Sequence, residues 1–167
     1  IEYVNPRFIQ LTGYTSEEVI GKNPRILKSG ETPGDEYKRL WDTITSGRVW
    51  QGEFHNRKKD GELYWESASI SPVIDSQGVI THFVAIKEDI TEHKLAERRL
   101  HAQHAVIQIL ALSRDLQDAT TKILQSICEC LGWDFGAFWL YSLKDNVLHC
   151  SDVWHTPSVN MAEFEFI

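Results

Sequence analysis

Three strand-like runs separated by two tight turn signals do most to limit what this chain can fold into. Val49 to Arg57 alternates, with Trp50, Gly52, Phe54 and Asn56 on one face and Gln51, Glu53, His55 and Arg57 on the other. That is the period of a half-buried strand. Lys59-Asp60-Gly61 follows, and Asp-Gly supplies the positive φ angles a hairpin turn needs. Glu62 to Val73 is the second run, Asp75-Ser76-Gln77-Gly78 the second turn, and Val79 to Lys87, rich in β-branched and aromatic residues, the third. Strands joined by such short turns pair antiparallel, so the centre of the chain reads as a meander.

Helix-period segments precede the meander. Ile1–Val4 reads as a short strand, and Asn5-Pro6 opens a helical turn over Arg7–Leu11 that Gly13 ends; Pro at a helix start loses no hydrogen bond. Ser16 reads as the cap of a second short helix, with Glu17 and Glu18 in its first turn, where the helix dipole favours carboxylates. Residues 22–34, with Pro24, Gly30, Pro33 and Gly34, read as loop. From Asp35 a longer helix places Tyr37, Leu40, Trp41 and Ile44 at i, i+3, i+4 and i+7, one apolar stripe. Helices segregated from an antiparallel sheet define an α+β class.

Charge excludes several functions. The 167 residues carry 24 acidic and 17 basic side chains, a net charge of −7. No clustered Lys and Arg offer a footprint for nucleic acid. No apolar run reaches the ~18 residues of a membrane span, and no signal peptide opens the chain. The composition reads as cytoplasmic. The start at Ile1 without Met, and an end at Phe166-Ile167 in mid-pattern, are expected of an excerpt from a longer protein.

The motifs now resemble a known family. Asn5-Pro6-Arg7-Phe8, Leu11-Thr12-Gly13-Tyr14 and Glu17 to Pro24 resemble the opening of PAS sensor domains. Trp50-Gln51-Gly52-Glu53, Asn56-Arg57, Lys59-Asp60-Gly61, Ile70-Ser71-Pro72-Val73 and Asp89-Ile90-Thr91, the closing PAC motif, follow in that family's order. The resemblance spans residues 1–94 and implies a five-stranded antiparallel sheet whose first strand would precede Ile1. A sheet edge left open or completed by a partner is therefore expected.

PAS domains hold a ligand between sheet and helices or serve as docking modules. The resemblance implies Phe8, Leu11, Ile26, Leu27, Leu40, Phe54, Asn56 and Ile70 as lining residues. Light-sensing members form a flavin adduct through a Cys in Gly-x-Asn-Cys-Arg; here Gly21-Lys22-Asn23-Pro24-Arg25 has Pro24 at that place, so no flavin–cysteinyl adduct is expected. Those members grip the flavin with Asn, Asn and Gln on three strands, where this chain has Asn56, Glu66 and Lys87. An ionised Glu is a pure acceptor, unlike an amide. Haem-binding members carry a His on the long helix, and none occurs in 35–46. His55 falls on the polar strand face and reads as solvated. FAD held noncovalently is the flavin mode left open, and the ligand is otherwise unassigned. No metal site is expected.

Residues 95–115 contain no Gly or Pro and read as a connecting helix. Thr91 is expected to cap it from Glu92 onward, and in the PAS resemblance Asp89, Ile90 and Thr91 couple sensor to helix. Leu95, Arg99, Ala102, Val106, Ile109, Ser113 and Leu116 repeat in steps of 4 and 3, beside a second stripe through Ala96, Leu100, Gln103, Ile107 and Leu110. Such a helix is expected to pair, through 92–112, as a parallel homodimeric coiled coil. His101 and His104, spaced i, i+3, read as solvated.

From Leu116 an amphipathic helix and two strands, Phe135–Ser142 and Val147–Trp154, resemble the opening of a GAF domain over 116–167, with Gly132-Trp133-Asp134 and Gly136-Ala137-Phe138-Trp139 as its motifs. Cys128, Cys130 and Cys150 read as reduced, partly buried thiols. Neither a phosphate-binding glycine loop nor a nucleophile elbow occurs. The fragment thus reads as a non-enzymatic sensor with no catalytic residues. The resemblance implies an output domain further along the same chain, a histidine kinase of a two-component system. A diguanylate cyclase, or a ligand-free docking module, is the alternative.

Overall fold

The computed structural model describes residues 1–159; the last part of the segment expected to open a GAF domain, 160–167, lies outside the described residues. The chain divides into two compact units, Ile1–Lys94 and a second beginning at Leu95.

The first unit begins with α1 (Pro6–Thr12), where Asn5 Oδ1 accepts from the Phe8 N–H at 2.9 Å and Gly13 at φ 73° closes the helix. Ile1–Val4 is not a strand. Its end is held instead by the 19–22 turn: the Ile1 ammonium donates to Lys22 O, and the Gly21 N–H to Ile1 O at 2.8 Å. In α2 (Ser16–Val19) the cap is Thr15 rather than Ser16. The reason is spacing: Glu18 lies three residues after Thr15, and its carboxylate accepts from the Thr15 N–H at 2.9 Å, the reciprocal geometry of a capping box. The expected loop contains one 3-10 turn over Pro24–Leu27, started by Asn23 Oδ1 accepting from the Arg25 N–H. The helix α3 (Gly34–Thr45) carries Asp35 and Glu36 in its first turn and buries Leu40 and Ile44.

Strands β1 (Trp50–Arg57), β2 (Leu63–Ile74) and β3 (Ile80–Asp89) form one antiparallel sheet in the order β1-β2-β3. The fold is α+β, an antiparallel sheet with short helices. The register sets Phe54 opposite Glu66, Asn56 opposite Tyr64, and Ile70 between Trp50 and Ala85. Leu40, Ile44, Trp50, Phe54 and Ala68 make the core, with Tyr37 and Ile70 packed against it. Burying each of Leu40, Ile44 and Phe54 is worth roughly 1.5–3 kcal/mol. The free edge of β1 is bridged at Asn56 by Lys28. Beyond β3 no strand pairs among the described residues.

Helix α4 spans Thr91–Leu112 without a break. Its two stripes differ in exposure. Ala102 is buried and Val106 and Ile109 half-buried, whereas Leu100, Ile107 and Leu110 are exposed. His101 and His104 are exposed, as read.

The second unit continues with α5 (Leu116–Leu131), capped by Asp115 Oδ1 accepting from the Asp118 N–H at 2.8 Å and closed by Gly132 at φ 72°. Strands β4 (Phe135–Ser142) and β5 (Val147–His155) pair antiparallel. The helix lies so close to β4 that a Cβ on Gly136 would come within 2.8 Å of Cys128 Sγ. All three thiols are free; Cys128 is buried and Cys130 half-buried, but Cys150 is exposed, contrary to expectation. It sits where residues 147–151 of β5 are uncovered.

Candidate functional site

Alternation along β1 and β2 turns Phe54, Asn56, Tyr64, Glu66 and Ala68 to the same side of the sheet, where Leu40 and Ile44 of α3 join Phe54 and Ala68 in the core. Antiparallel pairing adds Lys87 of β3, opposite Ala68. The result is a polar cluster inside an apolar core. Glu66 is 1 % exposed and Asn56 5 %. Glu66 Oε1 accepts from Asn56 Nδ2 at 2.9 Å and from the Lys87 ammonium, and Glu66 Oε2 accepts from the Tyr64 hydroxyl at 3.1 Å. The carboxylate is satisfied at both oxygens, as a buried charge requires. Burial first, and then the negative charge of Glu66, push the Tyr64 phenol well above its ordinary range.

An aromatic wall stands beside the cluster. Tyr37 stacks on Phe54 at 5.5 Å and Phe54 on Trp50 at 4.9 Å between centroids. Two ammonium groups face it: Lys28 Nζ lies 3.4 Å from the Tyr37 centroid and Lys87 Nζ 5.9 Å from that of Phe54. The Trp50 Nε1–H is buried and meets no hydrogen-bond acceptor among the described residues. Of the expected lining residues, Leu27, Leu40, Phe54 and Asn56 are buried, and Phe8, Leu11, Ile26 and Ile70 are half-buried. Phe54, Leu40 and Ile70 belong to the core beside Glu66. Tyr64 was not foreseen. Its in-phase position with Glu66 and Ala68 on β2 was the available signal.

On the other face of β2, between Tyr64 and Glu66, Trp65 meets the start of α4. The Trp65 N–H donates to Thr91 Oγ1 at 2.9 Å, and Trp65 O accepts from the Ile90 N–H at 2.9 Å. Asp89 Oδ1 accepts from the Thr91 N–H at 2.9 Å. Thr91 is therefore the first helical residue and not the cap: its hydroxyl is turned across to β2, and Asp89 takes the capping bond. Lys94 pairs with Glu53 at 2.8 Å and lies 5.6 Å from the Trp65 ring. His55 is half-buried and stacks on Trp65 at 4.5 Å, so the solvated reading of His55 is corrected. Its register partner is Trp65, and cross-strand aromatic pairs attract.

A sequence model of the PAS domain matches residues 1–92. The chain belongs to the PAS domain family. The Klebsiella oxytoca nitrogen fixation regulatory protein is 37% identical over 100 residues, covering 60% of this chain and 20% of that protein. The blue-light-activated histidine kinase of Brucella canis is 35% identical over 124 residues, 74% of this chain and 25% of that protein. The solved structure of an RNA-binding light-oxygen-voltage receptor superposes with TM-score 0.57 at 28% identity, covering 67% of this chain and 31% of that one. This PAS chain thus spans only a fifth to a quarter of the length of these two curated relatives. Among the described residues no helix is long and apolar enough to cross a membrane, and no His, Cys, Asp and Glu cluster could hold a metal ion.

Proposed function

We infer that this chain is the sensory part of a larger signalling protein, in which the state of the PAS core passes through α4 to an output domain, a histidine kinase. The observation that carries the reading is the clamp at Trp65. The residues on either side of it, Tyr64 and Glu66, hold the buried cluster, while its own N–H and C=O hold Thr91 and Ile90. A change in the cluster is one residue away from the first turn of α4. Asp89, Ile90 and Thr91 are the coupling residues. A shift of this kind signals only if the two states differ in such contacts.

The light-driven chemistry suggested by some relatives' names is not proposed for this chain. Pro24 has no thiol, and every cysteine lies beyond residue 127. Glu66 and Lys87 neutralise each other where flavin-gripping amides would stand. FAD held noncovalently, against the Phe54–Trp50 wall, is the flavin mode that remains open.

The segment from Leu116 is proposed to open a GAF domain, on the order helix, Gly132-Trp133, strand, strand. A homodimer through 92–112 is proposed to use the exposed Leu100, Ile107 and Leu110 stripe. In the full-length protein, Asp89→Ala and Thr91→Val should each change output activity several-fold without loss of the folded core. Unchanged output in both would remove the coupling role.

A further inference from the structure

We propose that His55 is a positioning residue for α4, and that the segment 28–32 acts on the first turn of that helix through the His55–Trp65 stack. The proposal rests on the sensory reading and adds a second input to the clamp at Trp65.

The two sides of the stack are held in the same way. The His55 N–H donates to Thr32 Oγ1 at 3.0 Å, and the Thr32 hydroxyl donates to His55 O at 3.4 Å. Across the strand pair, the Trp65 N–H donates to Thr91 Oγ1 at 2.9 Å, and that hydroxyl lies 3.5 Å from Trp65 O. Each residue thus turns its backbone groups away from the other, His55 toward the segment 28–32 and Trp65 toward the start of α4. Antiparallel partners turned in this way exchange no backbone hydrogen bond, and their side chains approach most closely. The contact between them is the ring stack, with centroids 4.5 Å apart and planes 10° from parallel.

The segment 28–32 is fastened at several points beside His55. The Ser29 hydroxyl also donates to His55 O, the Glu31 N–H donates to Ser29 Oγ at 3.0 Å, and Arg57 Nη2 donates to Ser29 O. Threonine is stiff at χ1, so a displacement of residue 32 moves the His55 backbone instead of being absorbed by a flexible side chain. The stacked ring carries that movement to Trp65, whose N–H and C=O hold Thr91 and Ile90. Lys94, in the same first turn of α4, lies 5.6 Å from the Trp65 ring, so the helix meets the indole as well as its backbone. Coupling between two sites travels through contiguous packed and hydrogen-bonded groups, and each link from Thr32 to Thr91 is in place here.

The test is amide hydrogen exchange on the chain, read at the Trp65 N–H against the Ala68 N–H of the same strand. Thr32→Val should quicken exchange at Trp65 roughly three- to fivefold and leave Ala68 near the parent rate. Thr32→Ser, which keeps the hydroxyl, should match the parent. In a His55→Ala background, adding Thr32→Val should change Trp65 no further; in His55→Phe, which keeps a stacking ring, the response should return. Should His55→Ala unfold, His55→Val, a strand former without a ring, takes its place. An unmoved Trp65 amide in folded Thr32→Val, equal quickening at Trp65 and Ala68, or a response that survives without the ring overturns the proposal. A ring-dependent response at Trp65 with unaltered output from full-length Thr32→Val protein supports the positioning role of His55 and counts instead against the sensory reading.

Discussion

The Trp50 indole lies directly over Gly52: a Cβ built at residue 52 would come within 2.7 Å of Trp50 Cη2 and 2.9 Å of Glu36 Oε1. Glycine is required here by packing rather than by backbone angle. Gly52→Ala should push the indole off Phe54 and destabilise the first unit by about 1–3 kcal/mol, the range for overfilling a packed core. Urea unfolding followed by tryptophan fluorescence measures it. A midpoint equal to that of the parent chain would show that the indole moves freely.

Glu66 and Lys87 should behave as a unit in stability. Lys87→Met leaves a buried carboxylate without its counter-charge and should cost about 3 kcal/mol, while adding Glu66→Gln should recover most of the loss. Thermal unfolding of the two single variants and the double variant closes the cycle. Additive losses would show that the two side chains do not share the charge balance.

Tyr64 makes the fold sensitive to alkali. Its pKa is raised from the ordinary 10.0, first by burial and then by Glu66. A raised pKa in the folded state contributes stability that is complete below the unfolded value and lost as pH climbs above it. Stability should therefore fall from about pH 10 upward, and Tyr64→Phe should flatten that fall. Ultraviolet titration should show one of the five tyrosines ionising only as the chain unfolds.

Thr91→Val keeps the shape of residue 91 and removes its hydroxyl. The Trp65 N–H then loses its acceptor, and a lost hydrogen bond of this kind is worth about 1 kcal/mol. Hydrogen exchange at Trp65 should quicken roughly five- to tenfold, with Thr91→Ser near the parent rate.

Thiol chemistry separates the cysteines of the second unit. Cys150 is exposed, and Cys128 is buried with its thiol pushed up by that burial. Iodoacetamide should modify Cys150 first and reach Cys128 only on unfolding. Mass spectrometry of digested, partly alkylated protein reads the order.

Much of this molecule follows from short-range pattern. Trp50, Phe54 and Asn56 alternate clearly enough to fix their common face, and Asp60-Gly61 marks the hairpin beside them. The errors cluster where a side chain had a choice of partner. Thr15 and Ser16 are both adequate caps, and the position of Glu18 decides between them. Thr91 carries a capping hydroxyl, yet the approach of β2 offers it the Trp65 amide, and Asp89 is close enough to replace it. The sequence places His55 on the polar face of its strand, but its neighbour across the sheet, Trp65, stands beyond the hairpin turn and is set beside it only by the register. Glu66 and Lys87 stand out by type, but their union depends on the β2–β3 register, which no local pattern states. The site is therefore less legible than the fold: its residues are visible one by one, and their pairing is a property of the sheet.

The buried Glu66–Lys87 pair also constrains how this chain can change over generations. A substitution to an amide at either position alone passes through a molecule with an unmatched charge in its core. Descendants that exchange the pair for neutral residues must change both positions together, or first gain stability elsewhere, as a better-packed Trp50 wall would provide. The two sites are one heritable character, and drift at residue 66 is held in check by what stands at residue 87.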